Sequence, residues 1–267
     1  MTAAHRPQPD ALAQTLHRLP PHPGDAGGMA ERIGLWQQGG RLTIGLDTSL
    51  ADLAHSSLIR AGAVCLAEAA RFDQSRGEIS LAASLRPDHA PASGLALALV
   101  ALAAEIEIAR RQPDQTVARS WQPISTFLAN PPPPPSLPLA VQMAAGEDIR
   151  GSAFVPAPAV RGASATLRAA AVALGLAADG TVATAAIALL PLSGPLFAVE
   201  TASLLVGHPI DPDRLAAAAR QAQIDAQARL GPALAPPAFP IQVAAHLVRK
   251  ALDRAAARCL ARLEAGA

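Results

Sequence analysis

The sequence predicts an α+β fold ending in a small antiparallel sheet packed with helices, and three features carry that prediction. First, two apolar runs, Val172 to Leu176 and Val182 to Leu190, flank Ala178-Asp179-Gly180. This is a hairpin signal, because Gly180 takes the positive φ that a tight turn requires. Second, Asp211 precedes Pro212 and an Ala-rich run to Ala228. Asp is a good N-cap, and proline suits the first helical position because its missing N–H has no helical partner there. Third, a helix opening at Pro240 places Ile241, Ala244, Ala245, Val248, Ala251, Leu252 and Ala255 on one apolar stripe. Arg249, Lys250, Arg254, Arg258 and Arg262 occupy much of the remainder.

The first half reads as α+β too. Arg41 to Leu46 is expected as a strand, Ser57 to Arg71 as a helix, Glu78 to Ser84 as a strand and Gly94 to Ala104 as an apolar helix. Glu105 to Ala109 alternates as a strand does, with Ile106 and Ile108 on one face and Glu105 and Glu107 on a solvated one. Pro131 to Pro135 favours an extended segment, and Gly146 to Gly151 is a second polar break. The boundary is therefore expected near residue 150, dividing the chain into residues 1–150 and 151–267.

A chain of 267 residues with 51% apolar and 16% charged residues can bury a sizeable core, unlike disordered chains. Aromatics are only 3% and Tyr is absent, so Ala, Leu and Val must build that core. Lys and Arg number 22 against 21 Asp and Glu, with no basic run among aromatics, so no nucleic-acid partner is expected. Cys65 and Cys259 are too far apart for a metal-ligand motif and too few for a disulfide framework; both are read as small buried residues. The N-terminus lacks a basic segment followed by an apolar one, so the cytoplasm is the expected compartment. Gly180 to Val199 is uncharged over a membrane-spanning length, but Pro191, Ser193, Gly194 and Pro195 break it, and a hairpin strand is expected instead.

No catalytic constellation is legible. His55, His89, His208 and His246 are scattered, and Asp211 and Asp213 flank a proline at a helix start, where capping is their role. Ser193 lacks the glycine two residues before it that a nucleophile elbow needs. No metal site is expected.

Several segments, in order, carry a family resemblance: IGLDTSLADLAHSSLIRAGAVCLAEAA at Ile44 to Ala70, RGEISLAASL at Arg76 to Leu85, ALVALAAEIEIA and SWQPISTFLANP. They are followed by AAAVALGLAADGTVATAAIAL, AVETASLLVGHPIDPDRLAAAA and AHLVRKAL. This series resembles the FAD-binding flavoprotein subunits of the molybdenum hydroxylases, the family of carbon monoxide dehydrogenase and xanthine dehydrogenase. The resemblance implies a two-part FAD-binding-type N-terminal domain and a C-terminal domain of the carbon monoxide dehydrogenase flavoprotein type. It implies an oxidoreductase subunit with no independent catalytic site, which passes electrons from iron–sulfur clusters through FAD to an acceptor. The molybdenum cofactor and the iron–sulfur clusters would reside on partner subunits. The alternative is a flavin-free structural scaffold of such a complex.

In that family the pyrophosphate of FAD is held by backbone amides of two glycine-rich loops. Several converging N–H groups satisfy such an anion, and glycine lets the backbone approach it closely. The first loop corresponds to Ala26, Gly27 and Gly28, followed by Met29 and Ala30. Only Glu31 to Gly40 then precede the next matching segment, so part of the first subdomain is missing. At the second loop the family's Thr-Ile-Gly-Gly-Asn is replaced by Ser80, Leu81, Ala82, Ala83 and Ser84, with alanine at both glycine positions. Left-handed backbone at either alanine would cost about 1–2 kcal/mol. The family's following acidic residue is replaced around Gly94. Trp36, Phe72, Trp121 and Phe127 are the candidates to cover a flavin ring.

Overall fold

Two antiparallel sheets organise the chain in the computed structural model, which describes residues 32–112, 114, 116–144, 149–157, 167–191, 197–230 and 239–266. The first sheet has the order β1 (Leu35–Gln38), β2 (Arg41–Gly45), β5 (Ser136–Ala144), β3 (Glu105–Arg111), β4 (Val117–Pro123). Gly39 and Gly40, at φ of +56° and +72°, close the two-residue hairpin between β1 and β2, where a residue with a β-carbon would be strained. Leu42, Ile44, Ile106, Ile108, Val141 and Met143 point into a core beneath helices. On the opposite face Glu105 accepts from Arg41 Nη1 at 2.7 Å and from Gln142 Nε2 at 2.9 Å. Glu107 lies 3.6 Å from Arg119 Nη1. The alternation read for Glu105 to Ala109 holds, with ion pairing added to the polar face.

Helices α1 (Leu50–His55), α2 (Ser57–Gly62), α3 (Val64–Gln74), α4 (Leu81–Ser84), α5 (Gly94–Ala101) and α6 (Ile124–Ala129) accompany this sheet. The single helix expected over Ser57 to Arg71 divides at Ala63, whose φ of −137° and ψ of 58° leave the helical region. A second correction concerns Glu78 to Ser84, expected as a strand. Only one bridge, Ser49 to Ser80, forms there, and Ser80 then caps the four-residue helix α4. The Ser80 hydroxyl accepts the Ala83 amide, and serine caps readily because its side chain competes for local backbone donors.

The chain passes to the second sheet between Ala144 and Ile149. Its order is β6 (Ile149–Pro156), β7 (Leu167–Leu176), β8 (Val182–Pro191), β9 (Phe197–Val199), with Gly180 at φ +80° in the β7–β8 turn. The expected hairpin is present. The expected helices are α7 (Pro212–Leu230), where Arg214 N donates to Asp211 Oδ2 at 3.1 Å, and α8 (Phe239–Gly266).

The near-continuous apolar character of β7 has a specific cause: both faces of this sheet are covered. Val155, Ala170, Val172, Leu174, Ile187 and Leu189 pack against α7 and α8. Phe154, Ala169, Ala171, Ala188 and Leu190 belong instead to the core beneath the first sheet, against α3 and α5. Alanines on that side let the helices approach closely. On the other side α8 crosses β6 so tightly that a β-carbon at Gly151 would sit 2.0 Å from Ala255 O.

Strand β6 is an edge, and an edge leaves every second N–H and C=O without a ladder partner. Charged side chains fill that role here. Arg262 donates to Arg150 O, Arg258 donates to Ser152 O, and Phe154 N donates to Glu68 Oε2 at 2.8 Å. Two of these groups come from α8 and one from α3, so both halves of the protein seal one edge.

Candidate functional site

The segment that the sequence resemblance matches to a second flavin loop begins where Ser49 and Ser80 bridge. Leu81 N donates to Thr48 O at 3.1 Å and Ala82 N to Leu46 O at 2.7 Å. Ala83 N donates to Ser80 Oγ at 3.2 Å, and Ser84 N to Ser80 O at 3.2 Å. Leu85 N and Arg86 N continue the series, donating to Leu81 O and Ala83 O. The backbone donors from Leu81 to Arg86 are thus all engaged within the chain. Ala82 and Ala83 are helical and neither has a positive φ, so the cost of a left-handed alanine does not arise.

Among the candidate flavin-binding positions, Ser84 is fully buried and its hydroxyl donates to Ser80 O, while Ser80, Ala82 and Ala83 are half-buried. Ala26, Gly27 and Gly28 lie outside the described residues, as does Ser193. A pyrophosphate held by free amides does not fit residues 80–84.

Asp73, which sequence reasoning passed over, lies in the last turn of α3 and reaches the start of α5. Its carboxylate is 1% exposed and accepts from Ser93 Oγ, Gly94 N and Leu95 N at 2.7, 2.7 and 2.9 Å. Burial pushes this carboxyl above the usual carboxylate range, against the opposing pull of those hydrogen bonds and of Arg76. A signal for it existed in the sequence: Leu66, Ala70 and Asp73 recur at helical spacing, which places an acid on the buried face of α3. The acidic side chain that the resemblance implies near this point would be crowded at position 94. A β-carbon on Gly94 would meet Phe154 Cζ and Phe72 Cδ1 at 2.9 Å.

The candidate ring-covering aromatics are not brought together. Phe72 packs on Phe154 with centroids 5.3 Å apart, and Phe127 is in the core. Trp36 and Trp121 lie on β1 and β4, the two opposite edges of the first sheet.

The histidines stay apart: His55 Nδ1 is 2.8 Å from Ala51 O, whereas His89 pairs with Glu78. Among the described residues no group of three or more His, Cys, Asp or Glu could hold a metal. No helix among them is long and apolar enough to cross a membrane. Burial pushes the Cys65 thiol up to about 12 and the Cys259 thiol up to about 11.

No protein-family model matches the chain and no curated protein matches it. Solved structures do. The chain is similar to carbon monoxide dehydrogenase from Hydrogenophaga pseudoflava lacking the Mo-pyranopterin moiety of its molybdenum cofactor. There the identity is 23% over 88% of this chain and 82% of that chain, with a TM-score of 0.67. Reconstituted CO dehydrogenase from Oligotropha carboxidovorans gives 21%, 85% and 79%, with a TM-score of 0.65. Quinoline 2-oxidoreductase from Pseudomonas putida 86 gives 17%, 86% and 80%, with a TM-score of 0.62. The protein therefore shares the fold of chains from molybdenum hydroxylases, as the resemblance in its sequence implied.

Proposed function

We propose that this chain is a subunit of a molybdenum hydroxylase-type oxidoreductase assembly and serves there as a flavin-free scaffold. Its partners in this reading are an iron–sulfur subunit and a molybdenum-cofactor subunit. The assembly's chemistry would reside on those partners, which suits a chain whose described residues gather no nucleophile, base and metal-ligand set. The observation that carries the scaffold role is the engagement of every amide from Leu81 to Arg86. A loop in that state supplies no donors to a dinucleotide.

The shared fold extends over 82% of the Hydrogenophaga chain, which supports a second reading: FAD on this subunit relays electrons from iron–sulfur clusters to an acceptor. In that case the protein's task is to position and tune the flavin rather than to supply nucleophiles. The two readings differ in cofactor content. Affinity purification of the chain from its own cells, with mass spectrometry of co-purifying chains and of released cofactor, separates them. Iron–sulfur and molybdenum chains without stoichiometric FAD are the expected result. One FAD per chain would restore the relay, and absence of both partner types would sink the assembly reading.

A further inference from the structure

The start of α5 (Gly94–Ala101) presents a convergent set of donors. Gly94 N, Leu95 N and the Ser93 hydroxyl point at one centre, and such a cluster at a helix N-terminus is what binds phosphate and other anions. In this protein that centre is already filled by the Asp73 carboxylate, which accepts from all three with both of its oxygens. Ala96 N, the next donor in the turn, goes to Ser93 Oγ at 3.1 Å. The first turn therefore has its donors satisfied from inside the chain.

Two more observations point the same way. The space beside Gly94 holds the Phe72 and Phe154 rings, so neither a ligand atom nor a larger side chain enters there without moving them. The neighbouring segment from Ser80 to Ser84 is closed by Thr48 O, Leu46 O and Ser80 itself. A phosphate brought to this region would find no free donor among these amides and would face a buried acid in a medium that screens poorly.

We infer that Asp73 is a resident substitute for an anionic ligand at the start of α5, so that the region of residues 80–84 and 93–96 excludes FAD and other phosphate-bearing ligands. This deepens the scaffold reading by naming the groups that close the site.

The test uses the purified full chain without partners, so its outcome is separate from co-purification. Flavin fluorescence is followed during titration with FAD, and thermal unfolding is followed with millimolar pyrophosphate. No saturable quench and no rise in Tm are expected. Ala82→Gly with Ala83→Gly should bind no better, because the same amides stay engaged. Asp73→Ala should lower Tm and regain part of the loss in millimolar formate, which replaces the missing carboxylate, while the native chain ignores formate.

Saturable one-to-one FAD binding, or stabilisation of the native chain by pyrophosphate, overturns the inference. So does an Asp73→Ala chain as stable as the native one. If that variant does not fold, the native titrations decide alone. Should the chain fail to co-purify with molybdenum partners and still bind no FAD, the assembly reading falls and the exclusion stands.

Discussion

Arg258 Nη2 donates to Glu68 Oε1 at 2.6 Å across 190 residues of sequence. The pair does more than join two charges. Glu68 also accepts from Phe154 N, and Arg258 also donates to Ser152 O, so each partner completes the hydrogen bonding of edge strand β6. Their side chains are 21% and 30% exposed, which screens the attraction less than at an open surface.

Arg258→Met should therefore destabilise the protein by about 2–3 kcal/mol, because it strands a half-buried carboxylate and a backbone carbonyl together. Glu68→Gln should have a smaller effect, about 1 kcal/mol, since the amide can still accept. Urea unfolding of both variants and of the double variant gives the coupling. Strict additivity would show that the pair is not a unit.

Gly151→Ala is expected to cost about 3 kcal/mol or to prevent folding, because the new methyl group meets a helix backbone oxygen that cannot rotate away. Gly34→Ala is the control: nothing lies within 4 Å of its added carbon, although its φ of +119° brings backbone strain. Thermal unfolding compares them. A smaller loss at position 151 than at position 34 would mean that α8 sits farther from β6.

The thiols of Cys65 and Cys259 should stay unmodified by a thiol reagent at pH 8 in the native protein and react fully in denaturant. Their raised folded pKa values, about 12 and about 11 against an ordinary 9.0, add a linkage with a definite sign. Their contribution is fully present below pH 9.0 and is lost as pH rises through the folded values. Cys65→Ala should flatten the alkaline fall in stability. Rapid native labelling at neutral pH would contradict this burial.

Asp73 gives the same sign at lower pH. Its folded pKa lies above 3.8, so the native state holds this proton more tightly than the unfolded chain. The carboxyl's contribution is fully present below 3.8 and shrinks as pH rises through the folded value. The stability gap between the native chain and Asp73→Asn should thus be widest in acid and narrow above it. Thermal unfolding over a pH series measures the gap, and a gap that widens with pH would count against this assignment.

The elements legible in the sequence were those whose signals are local. The β7–β8 hairpin, the Asp211 cap with Pro212, and the stripe of α8 need only neighbours in sequence to be recognised. Residues Glu78 to Ser84 misled because their alternation imitates a strand, whereas the backbone partners that fix them, Thr48 and Leu46, lie more than thirty residues away in sequence. Strand β1 went unread although Gly39-Gly40 is a hairpin signal. Alanine at both positions where the resemblance implies glycine is visible in the sequence; that Leu81 to Ser84 form a helix capped by Ser80 is not. Asp73 was hidden for another reason, since its role depends on the backbone donors of a different helix.

Strand β7, at the middle of the second sheet, has no outside. One face completes the core begun by α3 and α5, and the other awaits α7 and α8, which follow these strands in sequence. During synthesis the first half must leave the ribosome with apolar helix faces bare until β7 and β8 arrive, and those strands in turn remain half-covered until α7 and α8 emerge. Transiently exposed apolar surface of this kind promotes aggregation. Chains that stop short of α8 should therefore be cleared or precipitate rather than persist as a folded first half.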